Sequence, residues 1–117
     1  MTDWHRGTAD YWEGKSVMVT GGTGFLGSHL VEELEQRADG ADVFAPSSSE
    51  YDLRERADIR DALQATDPNV VIHLAATVGG IGANRKNPGR YFYDNAVMGI
   101  ELIEQAHQYG VEKCTIL

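Results

Sequence analysis

The run Ser16-Val17-Met18-Val19-Thr20 passes through Gly21-x-x-Gly24-x-x-Gly27 into Leu26, Leu30 and Leu34 at helical spacing, with Glu32, Glu33 and Gln36 between them. A β-prone run that enters an amphipathic helix directly through glycines forces strand and helix to lie side by side, joined by a tight turn. Such a junction leaves unpaired backbone N–H groups and the positive end of the helix dipole at one point, an arrangement that suits a pyrophosphate. The spacing gives each glycine a task. Gly21 takes the positive φ of the turn, Gly24 lets backbone and phosphate approach with no Cβ between them, and Gly27 lets the helix pack close to the strand. The candidate anion-binding residues are Gly21, Gly22, Thr23, Gly24, Phe25, Leu26 and Gly27. A P-loop is excluded, because no Lys-Ser/Thr pair follows the glycines to grip a β/γ-phosphate or hold magnesium.

Further along, Ala41-Asp42-Val43-Phe44-Ala45 reads as a second strand after the turn at Asp39-Gly40, stopped by Pro46 and Ser47-Ser48-Ser49. Ile59, Ala62 and Leu63 predict a short amphipathic helix that ends near Asp67-Pro68. Val70-Val71-Ile72-His73-Leu74-Ala75-Ala76 is nearly all apolar, as expected of a strand in the middle of a parallel sheet covered on both faces. Phe92, Ala96, Gly99, Ile103 and Ala106 predict a helical stripe capped by Gly110, and Cys114-Thr115-Ile116-Leu117 begins another strand. The order βαβαβαβ implies an α/β doubly wound parallel sheet with right-handed crossovers. Residues 2–15, with Trp4, Tyr11 and Trp12, read as an extension (1–15) that lays its aromatics against a domain at 16–117. A sheet of this kind ordinarily continues, so the chain is expected to be part of a longer protein.

At 117 residues the chain has room for one domain that buries roughly two-thirds of its unfolded surface. Eighteen acidic against ten basic residues give a net charge of −8, which argues against general affinity for nucleic acid or anionic membranes. That charge does not prevent local capture of an anion by N–H groups and a helix dipole, worth about 0.3–1 kcal/mol and up to about 2 when partly buried. The single cysteine, Cys114, allows no internal disulfide and is expected to pack rather than react. Neither a signal-peptide pattern nor an apolar run near 18 residues is found, and a soluble, cytoplasmic protein is the expectation.

Four motifs, in order, carry a family resemblance: Thr20-Gly21-Gly22-Thr23-Gly24-Phe25-Leu26-Gly27, Asp52-Leu53, His73-Leu74-Ala75-Ala76 and Asn95-Ala96-Val97-Met98-Gly99. With them the chain resembles the extended short-chain dehydrogenase/reductases, the NAD-dependent epimerase/dehydratase family. Val78-Gly79-Gly80-Ile81-Gly82-Ala83-Asn84, Asn87-Pro88 and Tyr91-Phe92-Tyr93-Asp94-Asn95 are most similar to the GDP-L-fucose synthase branch. The resemblance spans about residues 12 to 117 and implies a Rossmann-type sheet truncated after about the fifth strand, with NADP or NAD as cofactor, a sugar-nucleotide substrate and a homodimer.

The resemblance also implies roles for particular residues. Asp52 would accept from the adenine amino group while Leu53 covers the ring; the alternative is an Asp that caps the next helix. Leu74, Ala75 and Ala76 end a central strand where small residues leave space for ribose and nicotinamide. Ser47 and Ser48 stand where the branch commonly has an arginine for the NADP 2′-phosphate. Hydroxyls contribute less there than a bidentate guanidinium, so NADP is favoured only slightly over NAD. Gly80, Ile81 and Asn84 would shape a substrate pocket, and Arg85, Lys86 and Arg90 either face a diphosphate or form a solvated helix start. Asn95 would support the active site by hydrogen bonding or simply lie on an exposed helix face. His73 reads as a core histidine rather than a catalyst. The family's Ser/Thr and Tyr-x-x-x-Lys would follow Leu117, and Tyr91 and Tyr93 lack a lysine four residues on, so no catalytic residue and no metal ligand is assigned. The implied activity is that of a GDP-4-keto-6-deoxymannose 3,5-epimerase-4-reductase whose isolated portion binds cofactor without turnover. The alternatives are another sugar-nucleotide epimerase/dehydratase and a non-catalytic dinucleotide-binding module.

Overall fold

In a computed structural model, residues 11–38, 40–76, 86 and 88–117 are described. Four strands and three helices alternate along them: β1 (Ser16–Thr20), α1 (Phe25–Arg37), β2 (Asp42–Phe44), α2 (Arg56–Thr66), β3 (Val70–His73), α3 (Pro88–Tyr109) and β4 (Lys113–Ile116). The strands form one parallel sheet in the order β2-β1-β3-β4. Chain order reverses at β1, so the crevice at the carboxyl ends of β1 and β3 is the switch point where open α/β sheets bind ligands.

Residue alternation along the two central strands builds a core on each face. Val17, Val19 and Val70 pack with Leu34 of α1 and Ala38 just after it, and Trp12, Val31, Val43 and Ile72 close around them. Met18 and Val71, one residue out of phase, point to the other face and meet Leu53, Ile59, Ala62, Leu63, Met98 and Leu102. The register pairs Val17 with Val70 and Met18 with Val71, so each face receives neighbours from both strands. Each large aliphatic side chain fully buried in this way contributes about 1.5–3 kcal/mol. The interior strand expected at 70–76 is shorter in the structure: β3 takes Val70–His73, and Leu74, Ala75 and Ala76 follow it outside the sheet.

Local sequence sets the boundaries. Helix α2 stops at Asp67, whose φ of 47° lies in the left-handed region and whose N–H donates to the Leu63 carbonyl at 2.7 Å. Pro68 follows and disfavours a helical conformation in the residue before it. Helix α3 opens on Pro88, which suits a first helical turn. It closes at Gly110, with φ 92°, and Val111 N–H reaches back to the Ala106 carbonyl at 3.0 Å. At the amino edge of the sheet the Asn69 side chain accepts from Ser16 N–H at 2.8 Å while its carbonyl accepts from Glu112 N–H at 2.9 Å, tying three strands together. Trp12 packs against the core around Val17 and Leu34 and meets Tyr11 edge-on, and Lys15 Nζ stands 4.7 Å from the Tyr11 ring centre. Trp4 and Asp39 lie outside the described residues.

Two expected stripes need correction. In α1 the buried positions are Gly27 and Leu34, whereas Leu26 is 57% exposed, because the close approach of Gly27 to the turn rotates Leu26 outward. In α3 the inward stripe is Asp94, Met98, Leu102, Gln105 and Ala106, while Phe92 and Ile103 are exposed. The helix carries apolar residues on more than one face. The inward face is set by Met98 and Leu102 fitting against α2 and by partners for its polar members, such as Arg60 Nε–H on Gln105 Oε1 at 2.7 Å. Cys114 is half-buried against the core, and burial pushes its thiol up from the ordinary value, in line with a packing role.

Candidate functional site

The turn after β1 is built as its glycines require. Gly21 has φ 72°, and a Cβ there would lie 2.7 Å from Ala75 N and 2.8 Å from the Leu74 carbonyl carbon. A Cβ on Gly27 would collide with the Gly21 carbonyl, coming within 2.7 Å of its carbon and 2.9 Å of Gly22 Cα. Gly24 differs: its φ of −76° and ψ of 178° are open to any residue, and an added Cβ would meet only Gly21 O, at 3.3 Å. It is exposed at the start of α1, with no capping side chain and no acidic residue in the first turn. The first N–H groups of the helix are thus left for an incoming anion.

Beside this turn, two adjoining hollows of about 350 and 380 Å³ share Ser48, Leu53, Ala75 and Ala76 and so form one cleft. The first is completed by Gly21, Thr23, Gly24, Pro46 and Leu74, the second by Asp52, Arg54 and Met98. The cleft lies at the switch point, with the glycine turn and the uncapped start of α1 at one end and a carboxylate beside apolar side chains at the other. Another hollow, about 240 Å³ between α2 and α3, is lined by Arg60, Gln64 and Gln105 and sits toward the amino edge of the sheet, away from the glycine turn.

The floor of the cleft beside the glycine turn is fixed by Thr20, which is wholly buried at the end of β1. Thr20 Oγ1 accepts from Leu74 N–H at 3.1 Å and from Ala75 N–H at 3.2 Å, and lies 2.6 Å from His73 Nδ1. With Ala75 N–H and part of the Leu74 N–H, which the Thr20 carbonyl shares at 3.1 Å, directed at Oγ1, the hydroxyl hydrogen is free to point at Nδ1 when the imidazole proton is on Nε2. Burial also pushes the His73 pKa below its ordinary value. His73 is thus a satisfied core residue, 4% exposed, that holds Leu74 and Ala75 through Thr20. The sequence alone singled out neither Thr20 nor this contact, although Thr20 pairs with His73 in the strand register.

Asp52 does not cap α2. That helix begins after Glu55, and the carboxylate of Asp58 in its first turn reaches back to Asp52 N–H at 2.7 Å. The Asp52 carboxylate instead accepts from Arg54 N–H at 3.0 Å and from Arg54 Nε and Nη2, each at 2.9 Å. Hydrogen bonding from the Arg54 side chain holds the Asp52 carboxyl below the usual carboxylate range. Arg54 also approaches Asp94 of α3, Nη1 to Oδ2 at 3.6 Å, and Arg90 Nε donates to that oxygen at 3.1 Å. Arg90 is therefore engaged with Asp94 in the first turns of α3. Arg54 went unnoticed in the sequence, where its place two residues after Asp52 was the available signal.

The serines divide. Ser48 is exposed and lines both hollows, whereas the Ser47 hydroxyl is held inside its turn by Ser49 N–H at 3.2 Å and lies 2.7 Å from Ser49 Oγ. Phe25 is 87% exposed and, like Leu26 and Gly22, is not part of the cleft wall. Asn95 is partly buried on α3. Gly80, Ile81, Asn84 and Arg85 lie outside the described residues, and the exposed Lys86 stands just before α3.

The profile of the NAD dependent epimerase/dehydratase family matches residues 17–117. A GDP-L-fucose synthase of Azorhizobium caulinodans is 34% identical over 91 residues, covering 78% of this chain and 28% of that protein. A GDP-L-fucose synthetase of Naegleria fowleri, solved bound to NADP, superposes with a TM-score of 0.76 at 28% identity, over 86% of this chain and 30% of that one. The UDP-glucose 4-epimerase of Thermus thermophilus, solved with NAD, gives 0.70 at 32% identity, over 84% and 35%. The chain spans about a third of the length of the relatives it matches. No helix among the described residues is long and apolar enough to cross a membrane.

Proposed function

The chain belongs to the NAD dependent epimerase/dehydratase family, and on that premise we propose that its cleft holds NADP or NAD as the cofactor-binding portion of a sugar-nucleotide epimerase/reductase. The observation that carries this is the junction of β1 and α1, where an uncapped helix N-terminus free of acidic residues borders a cleft at the switch point. Gly21, Gly24 and the first N–H groups of α1 would hold the pyrophosphate. Asp52 and Leu53 would receive the adenine, and Leu74, Ala75 and Ala76 would line the ribose and nicotinamide end. Ser48, exposed on the cleft, is the hydroxyl placed to meet the adenosine ribose or its 2′-phosphate. When bound, the cofactor supplies hydride exchange with a sugar carbon. The specific reaction proposed is reduction and epimerisation of GDP-4-keto-6-deoxymannose, supported by the GDP-L-fucose synthases among the relatives. Gly80, Ile81, Asn84 and Asn95 would serve the substrate side.

Titration of the chain with NADPH and NADH, followed by nucleotide fluorescence, tests the binding proposal. Saturable binding is expected, and a folded sample that binds neither overturns it. Gly24→Val is expected to keep the fold, since its Cβ has only one neighbour at 3.3 Å, and to lose binding by excluding the phosphate. Undiminished affinity would show that the turn does not hold the pyrophosphate. Joining the chain to the C-terminal region of a relative and assaying NADPH oxidation with a 4-keto-6-deoxy sugar nucleotide tests the reaction, and no oxidation above background by a fusion that binds NADPH counts against it.

A further inference from the structure

The Asp52 carboxylate offers four acceptor positions, two on each oxygen. Oδ1 takes Arg54 N–H at 3.0 Å and Nε–H at 2.9 Å, and Oδ2 takes Nη2–H at 2.9 Å. Among the described residues this leaves one acceptor position, on Oδ2. The carboxylate is 38% exposed and borders the cleft beside Leu53, Ala75, Ala76 and Met98. Arg54 is itself anchored on its far side. Its Nη1 lies 3.6 Å from Oδ2 of Asp94, a carboxylate only 3% exposed whose Oδ1 has no hydrogen-bond partner among the described residues. A buried carboxylate with an unmet oxygen is costly unless cations stand beside it, so Arg54 cannot swing away without leaving Asp94 to Arg90 alone. A planar guanidinium paired through two hydrogen bonds with Asp52 on the cleft wall, and drawn on its far side by the charge of buried Asp94 in α3, is biased to one orientation, and the paired bonds pass that orientation to Asp52.

We infer that Arg54 is a positioning residue of the cleft, which turns the Asp52 carboxylate so that a single Oδ2 acceptor meets the exocyclic amino group of a purine ring and thereby selects an aminopurine over a ring bearing a carbonyl at that place. The inference rests on the cleft being the cofactor site, and the test separates the two.

Dissociation constants of the chain are measured for the reduced nicotinamide adenine dinucleotide that binds more tightly and for its hypoxanthine counterpart, which replaces the amino group by a carbonyl oxygen. The unsubstituted chain is expected to favour the amino base by about tenfold or more, as for a hydrogen bond to a charged group. Arg54→Met should reduce that ratio to about the level of Asp52→Ala, and Arg54→Lys should not restore it, because an ammonium cannot make the paired grip. Asp94→Asn, nearly isosteric, loosens the far anchor and should lower the ratio about threefold, which keeps the test open if Arg54→Met does not fold. An equal loss of affinity for both bases in the Arg54 and Asp94 variants, with the ratio intact, would overturn the inference and leave the proposed function standing. An unsubstituted chain that binds both dinucleotides without preference would overturn the assignment of Asp52 and the inference together.

Discussion

Replacing Gly27 by alanine isolates the contact between α1 and the glycine turn. An ideal Cβ at this position lies 2.7 Å from the Gly21 carbonyl carbon and 2.9 Å from Gly22 Cα, and closer still to the Gly21 carbonyl oxygen. Non-bonded carbon atoms rest at about 3.5–4.0 Å, so helix and turn must separate by roughly 1 Å. Both neighbours are backbone, and no side chain can rotate away to relieve the clash. Overpacking of this kind costs about 1–3 kcal/mol. The same movement strains the Gly24 N–H to Gly21 O bond of 3.1 Å, worth about 0.5–1.5 kcal/mol. Against these stands a gain of about 1 kcal/mol from replacing glycine in a helix. The balance is a loss of about 2 kcal/mol, or a fall in Tm of about 8 °C at roughly 4 °C per kcal/mol for a chain of this size. Gly24→Ala is the control: with one neighbour at 3.3 Å and an ordinary φ it should stay within about 0.5 kcal/mol of the parent. Thermal unfolding followed by circular dichroism measures both. A Gly27→Ala chain that melts with the parent would refute the claim that the close approach of helix and turn requires glycine.

The remaining predictions concern the Thr20–His73 contact. Thr20→Val removes the side-chain acceptor of Ala75 N–H and the donor to His73 Nδ1 in a buried place, and should cost about 1–3 kcal/mol by urea denaturation; a midpoint unchanged from the parent would show that the hydroxyl does not hold the cleft floor. Because the His73 pKa is depressed in the folded chain, its contribution is fully present above the unfolded value of about 6.5 and is lost as pH falls from there toward the folded value, where the unfolded chain binds the extra proton. The urea midpoint should therefore decline below about pH 6.5, with His73 supplying up to about 1.4 kcal/mol per pH unit, and His73→Gln should flatten that decline; an identical slope in the variant would exclude His73 as its source.

Much of the site was legible because its physics is local. A positive φ at Gly21 and a close approach at Gly27 follow from a strand, a turn and the start of a helix within residues 16–27, and the structure has both. An interior strand within 70–76 was readable because a segment covered on two faces is nearly all apolar, whereas its end at His73 was not, since Leu74 to Ala76 continue the same apolar pattern outside the sheet. Asp52, Leu53, Leu74, Ala75 and Ala76 border one cleft. Ser47 and Ser48 could not be told apart in sequence, since which hydroxyl the turn consumes depends on backbone geometry.

The order of elements, the parallel sheet, the glycine turn and the family are all written in the amino-acid sequence. Each of these is written in periodicity or in a short motif whose backbone demands few residues can meet. Only the tertiary structure decided which face of α3 turns inward, since that helix offers apolar residues in several directions and packing against α2 selects Met98 and Leu102 while Phe92 and Ile103 stay outside. The same packing brings Asp94 to Arg54, forty residues away in sequence, and joins Thr20 to His73 across two strands. Such pairings have no periodic trace, because a buried polar contact depends on where two distant backbones come to rest and not on the spacing of residues along either one.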